Sequence, residues 1–285
     1  MTKRRAWLQM NLAVALFGLS ALLATEMNAG ATVIVFGRSF FAFWSLMLLA
    51  LFWGRRPWRG QTPAGISRLA LAGAMLACHW IAFFIAVQKG GVGLATLGFA
   101  SFPAFVTLIE SIRTKTWPEP VEILIIIVIS FGVALVTPTF NPAETSTAGL
   151  IWGVVSGLLY AAIIVGNRYL VCGVDGFDAC WWQYLAAFSL LLPLVAADLQ
   201  GVTAHDWGLL AVMGLVSTAL AFTLFVLALK WVRSGEAAVI SAMEPVYAIV
   251  MAWLFLGQSP GLKMVAGGVL IVGAVVWSGL RSSRI

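Results

Sequence analysis

Charged side chains are scarce in this chain. Aspartate, glutamate, lysine and arginine make up 10% of its 285 residues, against 61% hydrophobic residues and a mean hydropathy of +0.99. No soluble domain of this length covers so much apolar surface with so few polar groups, so most of the chain must have lipid as its solvent. Histidine is nearly absent: there are only His79 and His205, and no H-E-x-x-H, G-x-x-x-x-G-K-[ST] or G-x-S-x-G pattern occurs. Zinc-peptidase, P-loop and serine-hydrolase chemistry therefore lack their residues, and no catalytic residue, cofactor or metal site is expected. Without a phosphate-cradling loop ATP cannot drive transport directly. An ion gradient, an exchanged solute or the substrate's own gradient must supply the energy of any transport cycle. The three cysteines, Cys78, Cys172 and Cys180, are odd in number and lack metal-ligand spacing; they read as small apolar fillers in or beside helices.

What the chain has in abundance is long apolar runs. A bilayer offers no water to backbone groups, and uninterrupted runs of this length exclude the short alternating strands of a barrel, so the expected fold is all-α and polytopic. At roughly 20 apolar residues per crossing, the polar, proline and glycine punctuation predicts ten transmembrane helices. They lie near 6–26, 32–53, 66–88, 92–113, 121–138, 148–168, 179–197, 207–230, 236–256 and 262–281.

The second half also repeats the first at a spacing of 142 residues. Leu8 and Leu150, Leu16 and Leu158, Ala77 and Ala219, Ala86 and Ala228, Gly93 and Gly235, and Ala95 and Ala237 are identical pairs at that offset. So are Pro103 and Pro245, and Pro118 and Pro260, which carry more weight because prolines are few. The expected domains are thus two five-helix repeats, 1–142 and 143–285. An odd number of helices in each copy puts the second into the membrane inverted, the arrangement of transporters that rock one half against the other.

Positive charge tests this topology independently. With a cytoplasmic amino terminus, the inside loops and tails hold Lys3, Arg4, Arg5, Arg55, Arg56, Arg59, Arg68, Arg113, Lys115, Arg168, Lys230, Arg233, Arg281 and Arg284. Only Lys89 and Lys263 fall outside. Both termini are therefore expected in the cytoplasm. The net charge of +6 is a solvated cytoplasmic rim and requires no nucleic acid. Residues 1–25 imitate a secretory signal but have a repeat partner near 148–168, so they are expected to stay as the first helix. The expected partners are a small-molecule substrate and the lipid bilayer, with the chain acting as a monomer.

Certain motifs resemble a known family. Gly93-Leu94-Ala95 to Phe102-Pro103-Ala104-Phe105 is mirrored by Gly235-Glu236-Ala237-Ala238 to Met243-Glu244-Pro245-Val246-Tyr247, and Trp253-Leu254-Phe255-Leu256-Gly257-Gln258 follows. This is similar to the paired repeat of the drug/metabolite transporter superfamily, in particular to EamA-type bacterial exporters and, among them, to aromatic amino acid exporters of the YddG type. The resemblance spans essentially the whole chain, including an arginine early in the second helix at Arg38. Gln258 departs from it, standing where the family often has glutamate. It implies ten helices around a central cavity and secondary transport across the inner membrane.

Depth sorts the intramembrane polar residues. Arg38 lies about 9 Å from the outer start of its helix and His79 about 13 Å from the outer end of its own, so the two share a layer. Arg38 is expected either to face a transport cavity or to latch onto Glu26 or helix-end carbonyls. His79, with Phe83 four residues on along the same face, is expected to line a cavity or to bond between two helices. Glu244 lies about 12 Å from the cytoplasmic side and directly precedes Pro245. It is expected to bind an ammonium, carry a proton or serve as a capped structural acid. Pro103 and Pro245 are expected to be hinges that kink continuous helices. Phe17, Tyr160, Trp182, Tyr184 and Tyr247 are further candidates for the cavity wall, while Trp58, Trp117 and Trp207 read as interface belts and Gly149 to Gly157 and Gly267-Gly268 as close helix packing. The set fits an amino acid with a sizeable apolar side chain. The rivals are a cationic-drug exporter centred on Glu244 and a nucleotide-sugar antiporter, which needs several mid-depth cations where only Arg38 qualifies.

Overall fold

Apolar runs bounded by helix-starting chemistry produce twelve α-helices and no strand among the described residues. The computed structural model describes residues 3–139, 141–229, 231–232 and 234–282; the side chains at 229, 234, 235, 238, 281 and 282 lie outside that description. The helices are α1 (Lys3–Thr25), α2 (Ala31–Phe52), α3 (Pro63–Phe99), α4 (Phe102–Thr114), α5 (Pro120–Val136), α6 (Thr145–Leu170), α7 (Gly176–Val195), α8 (Ala204–Gly214), α9 (Ala221–Leu229), α10 (Ser234–Ser241), α11 (Glu244–Leu256) and α12 (Leu262–Ser282). A π turn, Leu215–Leu220, joins α8 to α9. Seven stretches are long and apolar enough to cross a bilayer: Lys3–Thr25, Ala31–Phe52, Pro63–Phe99, Thr145–Leu170, Ala204–Ala228, Val239–Leu256 and Leu262–Leu280. Pro120–Val136 is a shorter apolar helix. The chain is a multi-pass membrane protein.

Helix starts are chemically marked. Thr62 accepts the Gly65 N–H ahead of Pro63, Glu119 and Glu122 form a capping box around Pro120, Asp175 accepts the Phe177 N–H, and Thr203 accepts the Asp206 N–H. A straight α3 of 37 residues would be about 55 Å long, far more than the hydrocarbon is thick. It turns instead at Gly91, whose φ of 75° and ψ of 173° suit only a residue without a Cβ. The sequence boundary between spans 66–88 and 92–113 falls on this turn.

Two predicted helices are not continuous. Span 92–113 breaks at 100–101 and span 236–256 at 242–243, so that Pro103 and Pro245 stand in the first turns of α4 and α11. A first-turn residue has no intrahelical acceptor for its N–H, so these prolines remove no hydrogen bond and kink no helix. They mark where a new helix begins.

The repeat persists in the structure's register. Helices α4 and α11 occupy the same 13 positions at the 142-residue offset, and each ends on a left-handed residue, Lys115 (φ 56°) and Gly257 (φ 67°). Packing is reciprocal too. Helix α1 lies against α9 and α11 as its repeat mate α6 lies against α3 and α4; α2 packs on α8 as α7 packs on α3; and the mates α2 and α7, and α5 and α12, pack on each other. The glycine runs serve the closest approaches. A Cβ on Gly149 would sit 2.3 Å from the Gly90 nitrogen, and one on Gly267 would sit 2.8 Å from the Gly132 carbonyl oxygen. The α2–α7 seam is aromatic, with Phe43 5.0 Å from Trp181 and 5.2 Å from Phe188. Trp207, in the first turn of α8, packs on Phe41 at the edge of the core. Cys78 and Cys172 are exposed and so are not fillers. Among the expected inside cations, Lys230, Arg233 and Arg284, and the Arg281 side chain, lie outside the described residues.

Candidate functional site

Helices α1, α2, α3, α6, α7, α9 and α11 and the π turn enclose a cavity of about 290 Å³, near the lower end of the range for small-molecule sites. Seven candidates from the sequence line it: Phe17, Arg38, His79, Phe83, Tyr160, Tyr184 and Glu244. Four do not. Trp182 donates its indole N–H to the Pro57 carbonyl, at 3.1 Å, on the loop after α2. Tyr247 donates its hydroxyl to Asn11 and packs against the cluster of Met10 and Val14. Pro103 borders neither this cavity nor the void beside it, and Pro245 lines only that void, about 50 Å³, which shares Phe99, Tyr160 and Glu244 with the main cavity.

The cavity is not centred. It reaches Asn167, about 5 Å from the end of α6, but at Arg38 stops about 10 Å short of the start of α2. The side carrying the 26–30 turn is closed: Gln88 donates to the Ala29 carbonyl at 2.9 Å, and the buried Asp206 accepts the Asn28 N–H at 3.2 Å and the Thr203 hydroxyl at 3.0 Å. The cavity therefore extends toward the face carrying loops 53–62 and 171–175. On that face Arg55 joins the halves, pairing with Asp175 at 2.8 Å and Asp178 at 3.0 Å. Burial alone would raise the Asp175 carboxyl, but the Phe177 N–H and the Arg55 guanidinium outweigh it and hold the group below its ordinary value.

Arg38 is buried, and neither alternative latch forms. Its Nε donates to the Thr218 hydroxyl at 2.8 Å, and its guanidinium lies over Trp80, 4.1 Å from the ring centroid. Among the described residues it has no carboxylate within ion-pair distance. The terminal nitrogens are left to the cavity.

His79 both lines the cavity and bonds between two helices. Its Nδ1 lies 3.0 Å from the Ser156 carbonyl oxygen and 2.9 Å from the Ser156 hydroxyl, tying α3 to α6, while the ring lines the cavity. A carbonyl only accepts, so Nδ1 carries the hydrogen, and a neutral ring presents Nε2 as an acceptor. The histidine therefore offers no donor to a carboxylate in this state. Around it Tyr160 (5.0 Å), Phe99 (5.4 Å) and, through Phe99, Phe83 build an aromatic wall.

Glu244 opens α11, where the positive end of the helix dipole favours a carboxylate. Its side chain has no hydrogen bond or ion pair among the described residues, and it faces both the cavity and the small void. The capped structural acid expected as one alternative is not what forms.

Trp80, Thr218, Gln183, Asn167 and Cys180 also line the cavity and were missed as candidates. A signal for three lining residues was present in the repeat: Cys180, Leu76 and Phe222 are the 142-residue mates of Arg38, Thr218 and Trp80. Among the described residues no group of three or more His, Cys, Asp or Glu side chains is placed to hold a metal ion.

Comparison with known proteins agrees with this architecture. The chain is 27% identical to the pseudopaline exporter CntI of Pseudomonas aeruginosa over 92% of both chains. It is 24% identical to an uncharacterized transporter of Archaeoglobus fulgidus over 93% of both. It is 23% identical to the uncharacterized transporter YxxF of Bacillus subtilis, over 94% of this chain and 88% of that one. A crystal structure at 16% identity superimposes with a TM-score of 0.66, covering 99% of this chain and 98% of its own, a likeness of fold alone. The profile of the EamA-like transporter family matches twice, over residues 5–137 and 147–280, once for each half of the reciprocal packing, and the chain belongs to that family.

Proposed function

We propose that the protein exports amino acids with large apolar side chains, and related small zwitterionic metabolites, across the bacterial inner membrane. The cycle is alternating access between two inverted five-helix repeats, 1–142 and 143–285, ten spans in all once the broken helices are joined. The observation that carries the substrate reading is that one cavity holds a cation, Arg38, and an acid, Glu244, neither in an ion pair among the described residues, beside an aromatic wall. A zwitterion brings a carboxylate to the first and an ammonium to the second, and its side chain lies on Phe99, Tyr160 and Phe83. The reciprocal packing of the halves supports the repeat. Arg55, Arg56, Arg59 and Lys115 on the loops, with Arg113 in the last turn of α4, support a cytoplasmic face on the open side, with both termini inside.

A second reading, a longer polar metabolite, is favoured by Asn167. Its Oδ1 is buried without a partner at the open end of the cavity, about 10 Å along α6 from Tyr160, beyond the reach of a single amino acid held at Arg38. The pseudopaline exporter among the relatives moves a metabolite by name.

The test is purified protein in liposomes loaded with labelled phenylalanine, tryptophan or methionine. Flux is expected, and His79→Ala and Glu244→Gln should each reduce it with the protein still inserted and folded. Movement of a nucleotide sugar or a quaternary ammonium dye but of no amino acid overturns the reading.

A further inference from the structure

Among the described residues, the π turn Leu215–Leu220 is the part of the cavity wall that departs from α-helix. In a regular helix a threonine hydroxyl reaches the carbonyl three or four residues back. Here Thr218 donates to the Met213 carbonyl, five back, at 2.9 Å, and its oxygen accepts the Arg38 Nε–H at 2.8 Å. The hydroxyl is thereby satisfied in both senses. The turn has a cost: Ser217 within it is fully buried, and its Oγ has no partner among the described residues. The backbone just before it is pressed onto α2, since a Cβ on Gly214 would lie 2.9 Å from the Arg38 carbonyl oxygen and 2.4 Å from the Phe41 Cβ. An unfavourable local conformation held this tightly against one arginine calls for a reason.

Arginine geometry supplies it. The guanidinium is planar with five N–H donors; its carbon is held over the Trp80 ring, 4.1 Å from the centroid, and the Thr218 bond occupies its Nε edge. With Nε occupied, the side-on pairing mode is blocked, and the two terminal nitrogens form an end-on fork at the cavity. That fork matches the two oxygens of a carboxylate.

We propose that Thr218, presented by the π turn, is a positioning residue that holds Arg38 as an end-on fork for a substrate carboxylate. This rests on the zwitterion reading of the cavity and assigns its carboxylate end. Thr218→Val keeps the shape but deletes both hydrogen bonds, so the guanidinium is free to rotate and the fork loses its preset edge. Anion affinity then falls roughly tenfold, the scale of one hydrogen bond to a charged group.

The probe is benzoate, with benzamide as its neutral counterpart, each titrated against the thermal melt of the full chain in detergent. Wild type should be stabilised by benzoate and not by benzamide. Thr218→Val should keep a cooperative ligand-free melt while its benzoate affinity drops about tenfold, and Thr218→Ser should restore it. Should the valine variant fail to fold, Thr218→Ala and Thr218→Ser carry the same comparison. Equal stabilisation of wild type by benzoate and benzamide, or an unchanged benzoate affinity in the valine or alanine variant, overturns the proposal even where liposomes move amino acids. The expected benzoate pattern together with no amino acid flux leaves the fork standing and removes the substrate reading.

Discussion

Gly149→Ala is a single added methyl group whose cost the structure specifies. The new Cβ would lie 2.3 Å from the Gly90 nitrogen, 2.4 Å from the Gly90 Cα and 3.0 Å from the Lys89 carbonyl carbon, all backbone atoms that no rotamer change relieves. Restoring ordinary contact requires α6 and α3 to separate by roughly 1 Å beside the Gly91 turn. Overpacking of this kind costs about 1–3 kcal/mol, and alanine's better helix propensity returns at most about 1 kcal/mol. The net expectation is a loss of about 1–2 kcal/mol. Gly208→Ala is the internal control: it lies inside α8 with nothing within 4 Å of its Cβ position, so only the propensity gain applies. Thermal melts of the two variants in one detergent should fall on opposite sides of wild type, Gly149→Ala below and Gly208→Ala level or above. A Gly149→Ala variant that melts at or above wild type would refute the backbone contact between α6 and α3.

Arg55→Gln removes the α2–α7 link on the open face, a half-exposed cluster worth about 0.2–1 kcal/mol. Because Asp175 is held below its ordinary value, the link is present at neutral pH and fades as the pH falls through that lowered value, so the melts of variant and wild type should converge in acid and stay apart at pH 7. A gap that persists unchanged at low pH would assign the effect to packing on Phe177. Pro103→Ala and Pro245→Ala add an N–H that has no intrahelical acceptor, and each should shift the melt by less than about 1 kcal/mol; a larger loss in both would mean that the prolines restrain the helix breaks themselves. A cysteine at Asn141, in a chain with Cys78, Cys172 and Cys180 replaced, should react with an impermeant reagent added to intact cells. Reaction only after permeabilisation would invert the proposed topology.

How much of this was legible in the sequence differs by physical origin. Helical spans are written in composition, because burying a backbone in lipid leaves few other solutions, and glycine contacts are written in the small-residue runs, which is why Gly149 and Gly267 fall where expected. The broken helices are not legible in the sequence, because a proline inside an apolar run reads as a kink; the residues before Pro103 and Pro245 reveal only in three dimensions that a new helix starts there. Arg38 could be located by its depth but not its partner, since Thr218 is 180 residues away and reaches it through a π turn that has no periodic signature. Trp182 and Tyr247 were misplaced for a simpler reason: a helix position fixes depth, while the face it turns to the cavity depends on packing.

The cavity shows what the repeat does and does not duplicate. Arg38 and Cys180, Leu76 and Thr218, and Trp80 and Phe222 are mates that all line it, so both halves contribute the same positions to one wall. The chemistry at those positions is not shared. The cation stands opposite a thiol in register, and Glu244 has Phe102 as its mate, so neither charge has a symmetric copy. On the proposed cycle this division is useful. Exchange of conformation between halves needs matched backbones, which the equal α4 and α11 and their left-handed ends provide. Recognition of a zwitterion needs one cation and one acid, and a symmetric duplication of either would leave a second buried charge without a ligand group to meet it, at a cost of several kcal/mol. On that proposed cycle, symmetry of the scaffold with asymmetry of the side chains lets one site serve both faces of the membrane.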